Sequence, residues 1–194
     1  TIPLGTEVHI YNSIQGRIMQ IVVLVPAHNE QESIAATIEA LLDQERPANE
    51  IVVIANGCQD QTVAISRRYP VKVLDLPMLK HRKSEALNTG WQAYGEPADL
   101  VICLDADTVL PPNAIKDWEQ EFLAEADKYH ATKNQPLGGS SSKFTMPGKD
   151  FLTRLQRAEF AKWTDTSLAR GYTTVLAGTG CAISGQALRD VVSK

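Results

Sequence analysis

The sequence predicts an α/β fold with a mostly parallel β-sheet that is covered by helices on both faces. In the first half of the chain, short apolar runs alternate with segments of helical periodicity. The runs are apolar throughout, which is typical of strands buried on both faces. Polar residues begin where three of these runs stop. Because ligands of such sheets bind beyond the carboxyl ends of the strands, those polar loops are the candidate functional positions.

The predicted strands and helices follow one another in strict alternation. The four predicted strands are residues 21–25, 51–55, 71–76 and 100–104. The helices between and after them are predicted from apolar positions at helical spacing and from start signals. They are a helix carrying Ile34, Ile38, Leu41 and Leu42, a short helix over 60–68, a helix capped by Ser84 with Leu87, Trp91 and Tyr94 on its apolar face, and a helix that begins at Pro111-Pro112 and carries Ile115, Trp118 and Phe122.

The second half of the chain is less regular. Residues 137–144 are a candidate strand entered through a glycine turn, and residues 150–170 are predicted to form a long helix. Residues 175–183 form an apolar run with two glycines, which indicates a loop that ligand or backbone approaches closely. Residues 8–11 are a candidate extra strand.

Composition restricts the class of protein. A chain of 194 residues with 43% hydrophobic and 22% charged residues is typical of one globular domain. The net charge of −4 and the pI near 5.6 argue against nucleic-acid binding. We find no apolar stretch of membrane-spanning length and no signal peptide. Three scattered cysteines without a C-x-x-C pair indicate a reducing compartment, and hence a cytoplasmic location.

The most informative residues are Asp105 and Asp107, which follow the apolar run 100–104. Residues i and i+2 of a strand point the same way, so both carboxylates should reach one side of the sheet edge. Two carboxylates there repel each other unless a cation, a substrate hydroxyl or solvent takes up the charge. A divalent metal holding a nucleoside diphosphate is the functional interpretation. An ordinary strand-to-turn aspartate pair is the alternative.

Two further loops follow predicted strands. Pro26-Ala27-His28-Asn29-Glu30 leads into a helix and suits the edge of a base or ribose better than a phosphate, because its glutamates oppose an anion. The alternative is that Asn29 caps the helix and Glu30 complements its dipole. In Asn56-Gly57-Cys58-Gln59-Asp60, the glycine permits a tight turn. Helix capping alone would explain Asp60.

A cationic run, Lys80-His81-Arg82-Lys83, precedes a predicted helix. Such a run is usually a solvated surface. Here it lies on the same rim as the aspartates, so a diphosphate clamp is plausible, with Lys83 as its central residue. Neither His28 nor His81 has metal-ligand spacing.

The order of these motifs resembles the family 2 glycosyltransferases, relatives of the processive cellulose, chitin, hyaluronan and poly-N-acetylglucosamine synthases. The resemblance covers about residues 20–190. It rests on the ordered series 25–30, 56–62, Lys83-Ser-Glu-Ala-Leu-Asn88 and Asp105-Ala-Asp107. It implies one domain, 1–194, of GT-A, Rossmann-like fold. The nucleotide-binding half would span about 20–110, and an incomplete acceptor half would span about 111–194.

The resemblance also implies a role for each motif in binding a nucleotide sugar, most simply a UDP-sugar. Asp107 would bind Mn²⁺ or Mg²⁺. The residues that would contact the nucleotide are Ala27, His28, Glu30, Asn56, Asp60, Lys83 and Asp105. The residues that would lie beside the donor sugar and acceptor are Gly178, Thr179 and Gly180.

The chain departs from the family pattern in four respects. Ala55 stands where many relatives have a base-contacting aspartate, and Arg82 stands where they have glycine. The family's Glu-Asp base motif and its Gln-x-x-Arg-Trp motif are both missing before Lys194. We therefore expect a truncated, donor-binding fragment of an inverting transferase, with its catalytic base beyond Lys194.

Two other functions remain to be compared with transfer of a sugar. A nucleotide-sugar-binding module or an inactive interaction domain would explain the missing base. A dinucleotide-binding domain is a poor alternative, because the first strand–helix turn lacks the G-x-G-x-x-G sequence. The acceptor, whether saccharide, lipid or another hydroxyl compound, is open.

Overall fold

A computed structural model describes residues 18–132, 137–142 and 180–192 of the chain. The candidate strand over 8–11 and the predicted helix over 150–170 lie outside the described residues. So do Gly178 and Thr179. None of the described helices is long and apolar enough to cross a membrane.

The described strands form a single six-stranded sheet. They are β1 (Ile21–Ala27), β2 (Glu50–Asn56), β3 (Lys72–Leu76), β4 (Leu100–Cys103), β5 (Gly139–Ser141) and β6 (Cys181–Ser184), in the order β3-β2-β1-β4-β6-β5. Strands β1 to β4 are mutually parallel, and β6 is antiparallel to both β4 and β5. The predicted, mostly parallel sheet is therefore confirmed, and the end of the apolar run 175–183 is a strand in it.

Helices follow the strands as predicted. They are α1 (Ile34–Leu42), α2 (Thr62–Ser66), α3 (Arg82–Gly90), which continues as a π-helical turn (Trp91–Gly95), α4 (Ala114–Thr132) and α5 (Gly185–Val192).

Three helix starts or lengths differ from prediction. Helix α4 begins at Ala114 and not at Pro111-Pro112, because a turn closed by the bond from the Ala114 amide to the Pro111 carbonyl precedes it. Ser84 is not the N-cap of α3: His81 holds that position, and the Ser84 hydroxyl donates to the His81 carbonyl from within the first turn (2.9 Å). Helix α2 is shorter than the predicted 60–68. It begins after Gln61, which holds the N-cap position, and ends at Ser66, where Arg67 is the C-cap.

Alternate residues of the central strands face two separate apolar layers. On one face, Val23 and Val25 pack with apolar residues of α1 and α4. On the other face, Val22 and Leu24 pack with α3 and the π-helical turn through Ala86 and Trp91. Because side chains of a strand alternate between faces, this two-sided burial explains why β1 is apolar at every position. Helices on both faces are thus confirmed.

Helix α5 is held tightly against the segment that leads into β4. The Gly185 amide donates to the Asp99 carbonyl (2.9 Å). The Arg189 guanidinium donates to the carbonyls of Glu96 (2.7 Å) and Ala98 (3.2 Å). A Cβ on Gly185 would lie 2.0 Å from the Ala98 carbonyl oxygen, so only glycine fits there.

The loops after β1 and β2 are joined by hydrogen bonds centred on Asp60. One carboxylate oxygen of Asp60 accepts from the amide (3.0 Å) and the hydroxyl (2.6 Å) of Thr62, and the other accepts from the Gln31 amide (3.0 Å). The Thr62 hydroxyl oxygen in turn accepts from the Glu30 amide (2.8 Å). Asn29 joins the same network, because its side-chain oxygen accepts from the Gln59 amide (2.8 Å).

This network decides between two alternatives left open by the sequence. Asn29 does not cap α1, since Ser33 holds the N-cap position and Asn29 has a left-handed φ of 55°. Asp60 does bond the start of α2, as a capping residue would. Partial desolvation opposes ionisation of Asp60, but the hydrogen bonds from Thr62 and Gln31 prevail and hold its pKa below the ordinary 3.8.

We expect Gly185→Ala to lower the free energy of unfolding by about 1–3 kcal/mol, because the new methyl group would overlap the Ala98 carbonyl. Urea denaturation measures this. Gly138→Ala is the matched control, since its Cβ would make an ordinary 3.9 Å contact with the Ala187 methyl. Equal unfolding midpoints for the two variants would contradict the close packing of α5.

We expect Asp60→Asn to lower the free energy of unfolding at pH 7 by about 1–3 kcal/mol, because an amide NH₂ group would face a backbone donor. The pKa of the folded carboxyl is depressed, so its stabilisation is complete above about pH 3.8 and is lost as pH falls through the folded pKa. The difference between wild type and variant should therefore shrink at pH 3. A difference of the same size at both pH values would contradict this account.

Candidate functional site

An open cleft of about 300 Å³ lies beyond the carboxyl ends of β1, β2 and β4. Parallel pairing brings these three strand ends to the same edge of the sheet. The predicted site residues that line the cleft are Ala27, His28, Glu30, Asn56, Lys83, Asp105 and Asp107. The lining residues that belong to predicted motifs, although no contact was predicted for them individually, are Pro26, Arg82, Ala86 and Ala106. The lining residue that lies outside every predicted motif is Met78.

The His28 ring is held in one orientation at the cleft wall. Its Nδ1 lies 2.8 Å from the Asn56 carbonyl oxygen, which only accepts, so Nδ1 carries the proton. The oxygen of the Asn29 amide is taken by the Gln59 amide, which turns Asn29 Nδ2 towards His28 Nε2 (3.4 Å). These two contacts fix the orientation of the ring. A fixed, exposed aromatic ring can stack on a planar base.

Asn56 shapes the wall of the cleft from beneath. It is only 4% exposed, and its side-chain oxygen accepts from the Leu79 amide (2.8 Å). The following Gly57 has a φ of 63°, and a Cβ there would lie 2.8 Å from Met78 Cα. Ala55 is fully buried within β2 and does not line the cleft. Asn56 lines the cleft, and its predicted contact with the nucleotide stays a prediction.

Asp105 and Asp107 reach the same cleft, as the strand-end spacing predicted. The Lys83 ammonium donates to Asp105 Oδ1 in an ion pair that is about two-fifths exposed at the lysine and one-third at the aspartate. Asp107 is exposed, with the Thr108 hydroxyl 3.4 Å from its Oδ1. The buried Thr37 of α1 donates to the Ala106 carbonyl (2.8 Å), which fixes the backbone between the two carboxylates.

The donor set suits a hard divalent cation that shares its ligands with a substrate. Within the described residues, no group of three or more His, Cys, Asp or Glu side chains could enclose a metal. Magnesium-like cations are commonly bound by one or two carboxylates together with substrate phosphates and water. Asp107 fits this description, because Asp105 already receives a proton donor from Lys83.

Glu30 and Asp60 differ in how they relate to the cleft. Glu30 lines it, while one oxygen of its carboxylate accepts from the Ser33 hydroxyl at the start of α1 (2.9 Å). Asp60 bonds Thr62 and Gln31 with its two oxygens and is not among the lining residues of the described cleft. Asp60 therefore organises the two loops, and its predicted nucleotide contact stays a prediction.

A pair of thiols lies at the end of β4 and the start of β6, at the edge of the sheet where Asp105 follows β4. Cys103 and Cys181 are opposite each other in the antiparallel β4–β6 pair and both are free. The hydrogen bond of the Cys103 thiol to Cys181, together with burial, raises the pKa of Cys103, so its thiol is neutral at pH 7. Cys103 thus packs as a small apolar side chain, as predicted.

Gly180 lies at the same edge of the sheet as the two aspartates. Because β6 is antiparallel to β4, the chain entering β6 passes the carboxyl end of β4. Gly180 is buried, has a φ of 56°, and its carbonyl accepts from the Ser142 amide (2.7 Å). This placement suits the predicted donor-sugar segment, but Gly180 does not line the described cleft, and that role stays a prediction.

Comparison with known proteins gives one family. The family model described as glycosyl transferase family 2 matches residues 22–177. A poly-beta-1,6-N-acetyl-D-glucosamine synthase of Staphylococcus epidermidis is 29% identical over 177 residues. That match covers 87% of this chain but only 40% of the synthase.

Solved structures show the same fold. A mannosyltransferase from Pyrobaculum calidifontis, in complex with GDP-Man and Mn²⁺, superposes with a TM-score of 0.63 at 20% identity, over 96% of this chain and 54% of that one. Glucosyl-3-phosphoglycerate synthase of Mycobacterium tuberculosis gives a TM-score of 0.58 at 18% identity, over 92% and 61% of the two chains. These are GT-A glycosyltransferases, so the predicted fold is confirmed. With its motifs in order around one cleft and a family model matched over most of its length, the chain belongs to glycosyl transferase family 2.

Proposed function

We propose that the cleft binds a nucleoside diphosphate sugar together with Mn²⁺ or Mg²⁺, as the donor site of an inverting transferase that moves a hexose or N-acetylhexosamine to an acceptor hydroxyl. The observation that carries the proposal is the juxtaposition of Asp105, Asp107 and Lys83 at the carboxyl ends of parallel strands. It places a metal-binding carboxylate and a cation at one position, as a diphosphate requires.

The charges of the cleft explain why a metal would be needed. The lining residues include three carboxylates, Glu30, Asp105 and Asp107, but only two cationic side chains, Arg82 and Lys83. A nucleoside diphosphate alone would meet a net negative surface. A divalent cation on Asp107 would reverse the sign of the local charge, and it would neutralise the charge that develops on the diphosphate leaving group.

The residues around His28 support a nucleobase site. The fixed ring can stack on a base, and base–aromatic stacking contributes about 1–3 kcal/mol. Ala27 and Glu30 line the adjacent wall, where a ribose hydroxyl would find the Glu30 carboxylate. UDP is our first candidate because of the relationship to an N-acetylglucosamine synthase. GDP is the second, because the similar mannosyltransferase was solved with GDP-Man.

Transfer also requires deprotonation of the acceptor, and general-base assistance is worth about 10²–10⁴-fold. The carboxylates that line the described cleft are Glu30, Asp105 and Asp107, and the proposal uses them for ribose, the lysine and the metal. We therefore place the base outside the described residues and propose that the described residues bind the donor. The lack of a further carboxylate in the described cleft also favours the alternative function, a nucleotide-sugar-binding module. We propose a reducing, cytoplasmic setting, since the described cysteines are free thiols.

We expect calorimetric titration of the chain to show UDP binding that depends on Mn²⁺ and weakens at least tenfold in Asp107→Ala, because the variant removes the proposed metal ligand. Asp43→Ala is the matched control. Asp43 is an exposed aspartate at the far end of α1, away from the cleft, and the variant should bind as wild type does.

Two results would contradict the proposal. One is the absence of Mn²⁺-dependent binding of either UDP or GDP by the folded wild-type chain. The other is equal affinity in Asp107→Ala and Asp43→Ala. To separate the transferase from the binding module, sugar transfer would be assayed with a longer chain extending beyond Lys194; a folded longer chain that binds donor but transfers nothing favours the module.

A further inference from the structure

The backbone of Arg82 has a conformation that disfavours a large side chain. Its φ is 41°, in the left-handed region, and its amide donates to the Leu79 carbonyl (3.3 Å) in the tight turn that begins α3. For residues other than glycine this region costs about 1–2 kcal/mol, because Cβ approaches the following carbonyl oxygen. Glycine would adopt the same φ without that cost. The local fold therefore favours glycine at a position where the chain has arginine.

The side chain of Arg82 offers no compensating contact within the described part of the chain. It is exposed, and its guanidinium forms no hydrogen bond or ion pair with a described residue. The neighbouring Lys83 differs, because its ammonium is bound to Asp105. Both side chains line the same cleft. Arg82 is thus the cationic group of the cleft whose charge the described residues leave unneutralised.

We propose that Arg82 is a specificity-determining residue that binds the phosphate oxygens of the nucleoside diphosphate through its guanidinium. This inference rests on the proposed donor site. A guanidinium presents two parallel N–H groups that match two phosphate oxygens, whereas an ammonium acts as a point charge. Asp107 with its metal, Lys83 and Arg82 then surround the diphosphate, and Arg82 adds the parallel pair of N–H donors that the Lys83 ammonium lacks. The site selects ligands with phosphate groups over a nucleoside that has none.

Two substitutions distinguish the effect of the Arg82 guanidinium from the effect of its left-handed backbone. Arg82→Gly removes the guanidinium and relieves the backbone, whereas Arg82→Gln removes the guanidinium and keeps the left-handed strain. Both variants should lose affinity for UDP with Mn²⁺ by about tenfold or more, the effect of deleting a charge-assisted contact. Their thermal stability should diverge, with Arg82→Gly melting above Arg82→Gln. Arg82→Lys should retain part of the affinity.

The experiment measures affinity of the purified chain for three probes: UDP with Mn²⁺, inorganic pyrophosphate with Mn²⁺, and uridine. Arg68→Gln is the matched control, since Arg68 is an exposed arginine that does not line the cleft. We expect both Arg82 variants to weaken the first two probes and to leave uridine binding at the wild-type level.

Three outcomes would overturn the inference. Arg82→Gln could bind UDP as tightly as the Arg68→Gln control does; with wild-type binding intact, this result leaves the donor site standing and removes Arg82 from it. Equal losses for UDP and uridine would show that the variant disturbs the whole cleft. Absence of Mn²⁺-dependent UDP and GDP binding in the wild type would remove the donor site itself, and the inference with it.

Discussion

The parallel pairing of β1 with β2 on one side and with β4 on the other is the constraint on which the site depends. The register pairs Ala27 with Ala55 and Leu24 with Cys103, so the loops that follow these strands all begin at the same edge of the sheet. Residues far apart in sequence thereby reach one cleft without any loop having to be long. The strands are buried on both faces, which fixes their relative height and therefore the position of each polar side chain.

The loops are further restrained by bonds among themselves. The Asp60 carboxylate ties the loop after β2 to the loop after β1, and Thr37 ties α1 to the backbone between the aspartates. Polar groups that are already oriented lose less freedom when a ligand arrives, which is the benefit of a preorganised site. Several polar residues of the cleft region therefore shape the site, and fewer are left to contact a ligand directly.

The alternation of apolar runs and helical segments predicted the order of strands β1 to β4, the helices on both faces of the sheet and the three loops of the cleft. These features were predictable because buried positions are occupied by apolar residues. Bonds between loops were not predictable in the same way. Ser84 carries a good capping side chain, yet the turn from Leu79 starts α3 earlier. Asn29 is a residue type that often caps helices, but its side-chain oxygen accepts a hydrogen bond from the Gln59 amide in the loop after β2. Tertiary contacts decided both, and local preferences could not reveal them.

In the candidate site, too, some features were predictable from the sequence and others depended on tertiary packing. The apolar run before Asp105 and Asp107 was sufficient to place both at the end of a strand, and both line the cleft. The expected strand alternation does not explain this, because β4 ends at Cys103 and residues 106–107 form a turn. The left-handed backbone of Arg82 and the burial of Ala55 depend on how α3 and β2 pack, so a linear pattern does not contain them. The antiparallel direction of β6 was hidden for a related reason: strand direction is a property of pairing partners, and the partner lies far back in the chain.

That distant partnership has a consequence for biosynthesis. Strands β1 to β4 can pair in order as the chain leaves the ribosome, but β4 gains its second neighbour only when Cys181–Ser184 has been made. Until then, Leu100–Cys103 is an open, apolar edge with unpaired backbone groups, the type of surface on which other chains aggregate. The strand that precedes Asp105 and Asp107 is therefore an edge of the nascent sheet until β6 pairs with it, and closing the long loop between them costs conformational entropy.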